Sequence, residues 1–154
     1  MIELIISGGQ TGVDRAALDW AIANSIPHGG WCPLGCRAED GAIDLRYNLV
    51  ETVEYEYPPR TRKNIKESDG TLILNLGLLE RGTKKTFNYA QSIGKPCFVV
   101  QIEADITPLS LRAWVERYNV KSLNIAGPRE SRRPGIYEWA YIFLQSQLRK
   151  ELKL

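Results

Sequence analysis

Apolar positions along this chain alternate between two periods. Ile2 to Ile6, Thr71 to Leu76, Phe98 to Ile102 and Ser122 to Ile125 are short, nearly continuous apolar runs bounded by turn residues, the pattern of strands buried on both faces. Between them the period lengthens to three and four. The stretch from Val13 to about Asn24 reads as a helix whose apolar face is Ala17, Leu18, Ala21 and Ile22. A basic helix is predicted from Arg60 to Ser68, beyond Pro58 and Pro59, and another from Thr83 to Ile93 with Gly94 closing it. Pro108 to Tyr118 presents Leu109, Trp114, Val115 and Tyr118 as its apolar positions. The last helix carries Ile136, Trp139, Ala140, Phe143, Leu144 and Leu148, with Arg149, Lys150 and Lys153 at its negative end. Pro27, Gly29, Gly30, Pro33, Gly35 and Gly41 punctuate an irregular stretch with a short strand around Gly30 to Cys32, and residues 43–57 stay undecided between strand and loop.

Strands alternating with helices predict an α/β fold: a Rossmann-like three-layer sandwich whose mainly parallel sheet is flanked by helices through right-handed crossovers. The 154 residues suit one domain, 1–154, with a single core. Such sheets bind ligands outside the carboxyl ends of their strands. Three loops are expected to meet there: Ser7 to Asp14, Gly77 to Thr86 and Ala126 to Arg133.

Twenty basic against eighteen acidic residues leave a net charge of +2, too little to mark a general nucleic-acid binder. The basic residues cluster instead, in Arg60, Arg62, Lys63 and Lys66, in Arg81, Lys84 and Lys85, and in Arg129, Arg132 and Arg133. No apolar stretch is long enough for a membrane span, and the first residues do not read as a secretory signal. Cys32, Cys36 and Cys97 fit free thiols in a reducing compartment. The expectation is a soluble, cytoplasmic protein with no membrane or nucleic-acid partner.

Ser7, Gly8, Gly9, Gln10, Thr11 and Gly12 join the first strand directly to the first helix. Glycines allow close approach of a ligand to the backbone, and a helix opening near Thr11 to Val13 aims its positive end at the turn, so an oxyanion is expected there. The dinucleotide fingerprint is incomplete: Ser7 stands at its first glycine, and Gly30, Trp31, Cys32 and Pro33 leave no carboxylate about 20 residues on for a ribose. No Lys-Ser or Lys-Thr follows Gly12, which excludes a Walker loop. NAD is therefore not expected. Asp14 and Arg15 open the first helix, Asp14 either as a working carboxylate or as simple dipole compensation.

In the third loop, Gly127 precedes Arg129, Ser131 and Arg132; the arginines are fork-shaped donors for phosphate or metal-oxo anions, and Ser131 is a candidate cap for the last helix. In the second, Gly82, Thr83 and Thr86 offer hydroxyls to an anion, with Thr83 alternatively an N-cap. Trp31, near Arg37, is either a plate for a flat heterocycle or part of a structural turn. His28, Cys32 and Cys36 lack a fourth ligand, so no structural metal is expected, and one histidine gives little support to a triad.

The segments SGGQTGVDRAALDWA at 7–21, GWCPLGCRAEDG at 30–41 and LNIAGPRESRRPGIYEWA at 123–140 resemble the molybdenum cofactor carrier family over nearly the whole chain. The resemblance implies a sheet in the order 3-2-1-4-5, a homo-oligomer, and binding, protection and delivery of molybdenum cofactor, a phosphorylated pterin with a metal-oxo group, without turnover and with molybdoenzymes as acceptors. The residues are compatible with such a ligand: the glycine loop is expected at its anionic end, Arg129, Ser131 and Arg132 either at the other end or helping at the first, and Trp31 over the ring. The wider group includes lysine-decarboxylase-like phosphoribohydrolases, which cleave nucleoside monophosphates and carry an Arg-Lys pair and the pattern PGGxGTxxE. Arg62 and Lys63 match the pair and Gly82-Thr83 the Gly-Thr, but Thr86 stands where the glutamate belongs. That departure favours binding over hydrolysis, with a nucleotide-binding protein using the same pocket as the alternative.

Overall fold

The computed structural model describes residues 1–103 and 108–149. Its main sheet has five strands: β1 Leu4–Ile6, β2 His28–Gly29, β3 Gly70–Asn75, β4 Cys97–Gln101 and β5 Ser122–Ala126. Among the described residues five α-helices accompany them: α1 Val13–Ala23, α2 Tyr57–Glu67, α3 Arg81–Ser92, α4 Pro108–Arg117 and α5 Ile136–Gln147. Every pairing in the sheet is parallel, in the spatial order β2-β1-β5-β3-β4. The Rossmann-like sandwich is therefore present, but the numbering expected from the resemblance is corrected. Moving β5 to the front of the chain restores 3-2-1-4-5, so the last strand occupies the sheet's centre and the topology is a circular permutation.

The two faces of the sheet differ in chemistry. Leu72, Leu74, Leu123 and Ile125 pack with Val13, Ala17, Trp20, Leu111, Trp114, Ala140 and Leu144 in one apolar core under α1, α4 and α5. Strand residues alternate between faces, so Thr71, Ile73, Asn75 and Asn124 lie on the opposite side, where Asn124 Nδ2 donates to Thr71 Oγ1 at 3.2 Å. There α2 and α3 pack against each other. A smaller cluster of Leu18, Cys32, Ala38, Ile43 and Tyr47 seats the irregular region on α1. In that region Trp31–Cys32 pairs with Val50–Glu51, Arg37–Ala38 forms a hairpin with Gly41–Ala42, and Leu45–Tyr47 is a 3-10 turn.

Several boundaries move for identifiable reasons. α2 starts at Tyr57, because Pro58 and Pro59 occupy the first turn, where a missing N–H costs nothing. Gly94 does terminate α3: its N–H donates to the Gln91 carbonyl while that of Lys95 donates to Ala90. Thr83 is not an N-cap, since α3 begins earlier, after Glu80. Ser131 does not cap α5 either. Glu130 does, accepting from the N–H groups of Gly135 and Tyr137. Ile22 is exposed, because α1 turns Val13, Ala16, Ala17, Trp20 and Ala21 inward. Lys150, Lys153 and the Leu109 side chain lie outside the described residues. Among the described residues no helix is long and apolar enough to cross a membrane.

Candidate functional site

A cleft of about 290 Å³ opens at the carboxyl edge of the sheet, on the side covered by α2 and α3. Asn75, at the end of β3, and Asn124, in β5, belong to its floor, and Tyr57, Arg60 and Asn64 reach it from α2. Thr83 and Thr86 approach from α3, and Gly127 to Arg129, Arg132 and Arg133 from the loop after β5. All three loops expected at this edge contribute. Their approach is close: a Cβ on Gly12 would stand 2.3 Å from the Pro128 carbonyl, and one on Gly127 2.3 Å from that of Leu74. Only glycine lets the first and third loops meet this way.

Amides of the glycine loop are already engaged within the protein. Gly9 N–H donates to Ser7 Oγ at 3.3 Å, Thr11 N–H to Gln10 Oε1 at 3.0 Å, and Val13 N–H to the Pro128 carbonyl at 3.3 Å. Gln10 N–H serves the Asp14 carboxyl. Of this loop, Gly8, Gln10 and Asp14 line the cleft; Ser7 is buried with Oγ donating to the Asp14 carbonyl at 2.8 Å, and Gly9 faces Leu49 and Ile43.

The positive charge of the cleft comes from side chains. Five guanidinium groups line the cleft, those of Arg60, Arg81, Arg129, Arg132 and Arg133, against the carboxyls of Asp14 and Glu80. Arg133 is committed, donating to the Leu76 and Arg132 carbonyls at 2.9 Å and lying 3.5 Å from Glu80. Arg60, only 6% exposed, donates to the Gly8 carbonyl at 2.6 Å, and its charge is held over the Tyr57 ring at 5.1 Å. Arg129 also lies over the same ring, at 5.4 Å. Burial pushes the Asp14 carboxyl up to about 6, despite the opposing charges of Arg60, Arg15 and Arg129 and the Gln10 amide. Two polar atoms of the lining are buried without a partner among the described residues: Gln10 Nε2 and Asn75 Oδ1. One is a donor and the other an acceptor, so the lining suits a ligand that presents both.

The remaining predicted residues are drawn elsewhere. Thr11 and Ser131 donate their hydroxyls to Glu39, and Arg15 grips Asp40 at 2.9 and 3.0 Å. Trp31 lies outside the cleft, its Nε1 donating to Glu67 at 2.6 Å and its ring 4.2 Å from Lys63 Nζ. Arg37 stacks on Tyr55 at 3.6 Å. Gly82, Thr83, Thr86, Gly127, Arg129 and Arg132 do line it. Arg62 and Lys63 do not; one helical turn registers Arg60 and Asn64 there instead, the i,i+4 pair that periodicity makes visible once a helix is granted. Asn75 and Asn124 carried a signal too, as amides within otherwise apolar strands. Cys32 and Cys36 bring their sulfurs to 3.2 Å as free thiols, and burial with the neighbouring thiol pushes Cys32 up to about 12.

Residues 5–148 match the circularly permutated YpsA SLOG family. The chain belongs to that family. A permuted family agrees with the sheet, whose central strand comes last in the chain. A crystal structure from Syntrophus aciditrophicus SB, of a protein provisionally named a molybdenum carrier protein, is 41% identical and superposes with a TM-score of 0.91, covering 96% of this chain and 95% of that one. No functionally curated protein matches. In this permuted YpsA member, the loops after β1, β3 and β5 come from distant parts of the sequence yet share one sheet edge, so the fold itself assembles the arginine-lined cleft.

Proposed function

We propose that the protein binds molybdenum cofactor in the cleft at the sheet edge, shields it, and passes it to molybdoenzymes without turning it over. The observation that carries this reading is the convergence of Arg60, Arg129 and Arg132 above a floor whose Gln10 Nε2 and Asn75 Oδ1 are buried and unpartnered. The cargo is a flat pterin rich in donors and acceptors with a phosphate at one end and an oxo-metal group near it. Guanidinium forks suit both anionic groups, and the orphaned amide atoms suit a heterocycle's edge. The 41% identity to the Syntrophus protein over nearly the whole chain supports the same reading. Thr86 supports it further, since its hydroxyl donates to the Gly82 carbonyl at 2.9 Å at the position where hydrolases of the wider group need a carboxylate. A cytoplasmic homo-oligomer is part of the proposal.

One observation favours a second reading. Asp14 is a cleft carboxyl held near neutrality by burial, the condition of a general acid or base, and it would serve a hydrolase of nucleoside monophosphates. The deciding experiment is thermal denaturation of the purified protein with molybdenum cofactor and with a nucleotide panel, followed by product analysis of the same samples. Selective stabilisation by the pterin cofactor with no product is the expected result. Stabilisation by nucleotides alone overturns the carrier reading, and free base in the tubes makes the protein an enzyme.

A further inference from the structure

The cleft continues past its own rim. Between α2 and α3 lies a second trough of about 400 Å³, lined by Tyr57, Pro58, Thr61, Arg62, Arg81, Gly82, Lys85 and Tyr89. Four of these residues, Tyr57, Thr61, Arg81 and Gly82, also line the inner cleft, so the two lobes are continuous. The inner lobe alone sits at the lower limit of ordinary ligand sites, while both together fall well inside their range.

The outer lobe has the chemistry of a second phosphate site beside a ring site. Arg81, Lys85 and Tyr89 recur every four residues and form one stripe along α3, facing Arg62 of α2. Among the described residues no carboxylate lines this lobe, and the side chains of Arg62, Arg81 and Lys85 have no hydrogen bond or ion pair. Arg81, at the junction of the lobes, has φ +48, a left-handed conformation that a non-glycine residue keeps only where its surroundings impose it. Tyr89 is half-buried and lines the far end of the stripe, an aromatic side chain of the kind on which a flat ring stacks.

We infer that the trough takes an extended ligand: the pterin phosphate occupies the inner lobe, and a nucleoside joined through a second phosphate occupies the outer one, Arg81 and Lys85 binding the bridging phosphates and Tyr89 stacking on the base. The inference rests on the carrier reading for the inner lobe only. It predicts that dinucleotide forms of the cofactor are preferred over the monophosphate form.

The test is titration of the whole protein with four probes: molybdenum cofactor as the monophosphate, its guanine dinucleotide form, GMP and GDP. Wild type is compared with an Arg62→Ala/Lys85→Ala double variant, which leaves Arg60, Arg129 and Arg132 untouched. The expected result is at least tenfold tighter binding of the dinucleotide form and of GDP than of their monophosphate counterparts, with the gain lost in the double variant and affinity for the pterin monophosphate unchanged. Equal affinity for the paired probes in wild type, or a gain undiminished in the double variant, overturns the inference while leaving the carrier reading intact. If neither pterin form binds but the GDP preference holds and depends on Arg62 and Lys85, the outer lobe stands and the carrier reading falls. Binding of none of the four overturns both.

Discussion

Two neighbouring clusters of donors sit at the sheet edge, and they differ in whether the protein's own carboxylates satisfy them. In the first, Glu39 fills the centre: it accepts from the hydroxyls of Thr11 and Ser131 and from Ser131 N–H at 3.2 Å, while Asp40 beside it holds Arg15. In the second, Arg60 and Arg132 face a cleft whose carboxyls are Asp14, which burial biases toward the neutral form, and Glu80, which lies by Arg133. Arg129 stands between them, 3.8 Å from Glu39 and over the Tyr57 ring. The difference teaches that hydroxyls and amides on a glycine-rich loop identify an anion position without identifying its occupant. The protein's own hairpin fills one position, and the other has guanidinium groups in excess.

The largest test of that contrast removes the buried carboxyl from the open side. Asp14 is 8% exposed, and its folded value of about 6 stands above the model-peptide value near 3.8. A raised carboxyl destabilises the fold when ionised, so the Asp14 contribution to stability is most favourable below pH 4, falls between pH 4 and 6, and is level above; the drop in that contribution is about 3 kcal/mol. Asp14→Asn, which mimics the neutral acid, should be more stable than wild type by that order at pH 8 and equal to it at pH 3, measured by urea denaturation across pH. A variant less stable at pH 8 would mean that Asp14 and Arg60 act as an ion pair and that this side is also filled. Next in size, Arg129→Ala should weaken anion binding by about 1.5–3 kcal/mol with the melting temperature little changed. Unchanged affinity in the folded variant would assign Arg129 wholly to Glu39.

The same contrast explains what the sequence made visible. The dry face of the sheet was legible, because Val13, Ala17, Ala21, Ala140 and Leu144 follow helical spacing and the strands between them are apolar runs. The convergence of three loops followed from the parallel topology alone. Hidden were the contributions of α2: Pro58 and Pro59 in its first turn and a mostly polar sequence leave no apolar stripe to set its register, so the sequence does not tell Arg60 from Arg62. Equally hidden was the hairpin at Arg37–Ala38 and Gly41–Ala42, whose two-residue strands leave no period to read. It delivers Glu39 to donors 28 and 92 residues away, Thr11 and Ser131, a pairing no local pattern encodes. The permutation was invisible for a similar reason, since strand order is a property of pairing and not of sequence spacing.

Smaller effects probe the filled side. Burial pushes the Glu39 carboxyl up, but hydrogen bonds from Ser131 and Thr11 and the Arg129 charge outweigh it and hold it below the usual range. Its contribution is therefore present above the unfolded carboxylate value and lost as pH falls through the lower folded one. Glu39→Gln should cost about 1 kcal/mol near neutrality, flatten that acid limb, and raise anion affinity in the cleft a few-fold by releasing Arg129. A fall in anion affinity would show that Glu39 positions Arg129 for ligand instead of competing for it.

The smallest effect is expected at Arg15. Its fork binds both Asp40 oxygens and, through Nε and Nη2, the Gly9 carbonyl at 3.2 and 3.0 Å, but Asp40 is half exposed and solvent screens the pair. Arg15→Lys keeps the charge and loses the fork, so the loss should be about 0.5 kcal/mol and shrink further in high salt. Anion affinity in the cleft should not move, because Arg15 points to the hairpin and not to the cleft lining. If Arg15→Lys weakened anion binding as much as Arg129→Ala does, the hairpin latch and the cleft would be one coupled unit, and the division between a filled and an open anion position would no longer hold.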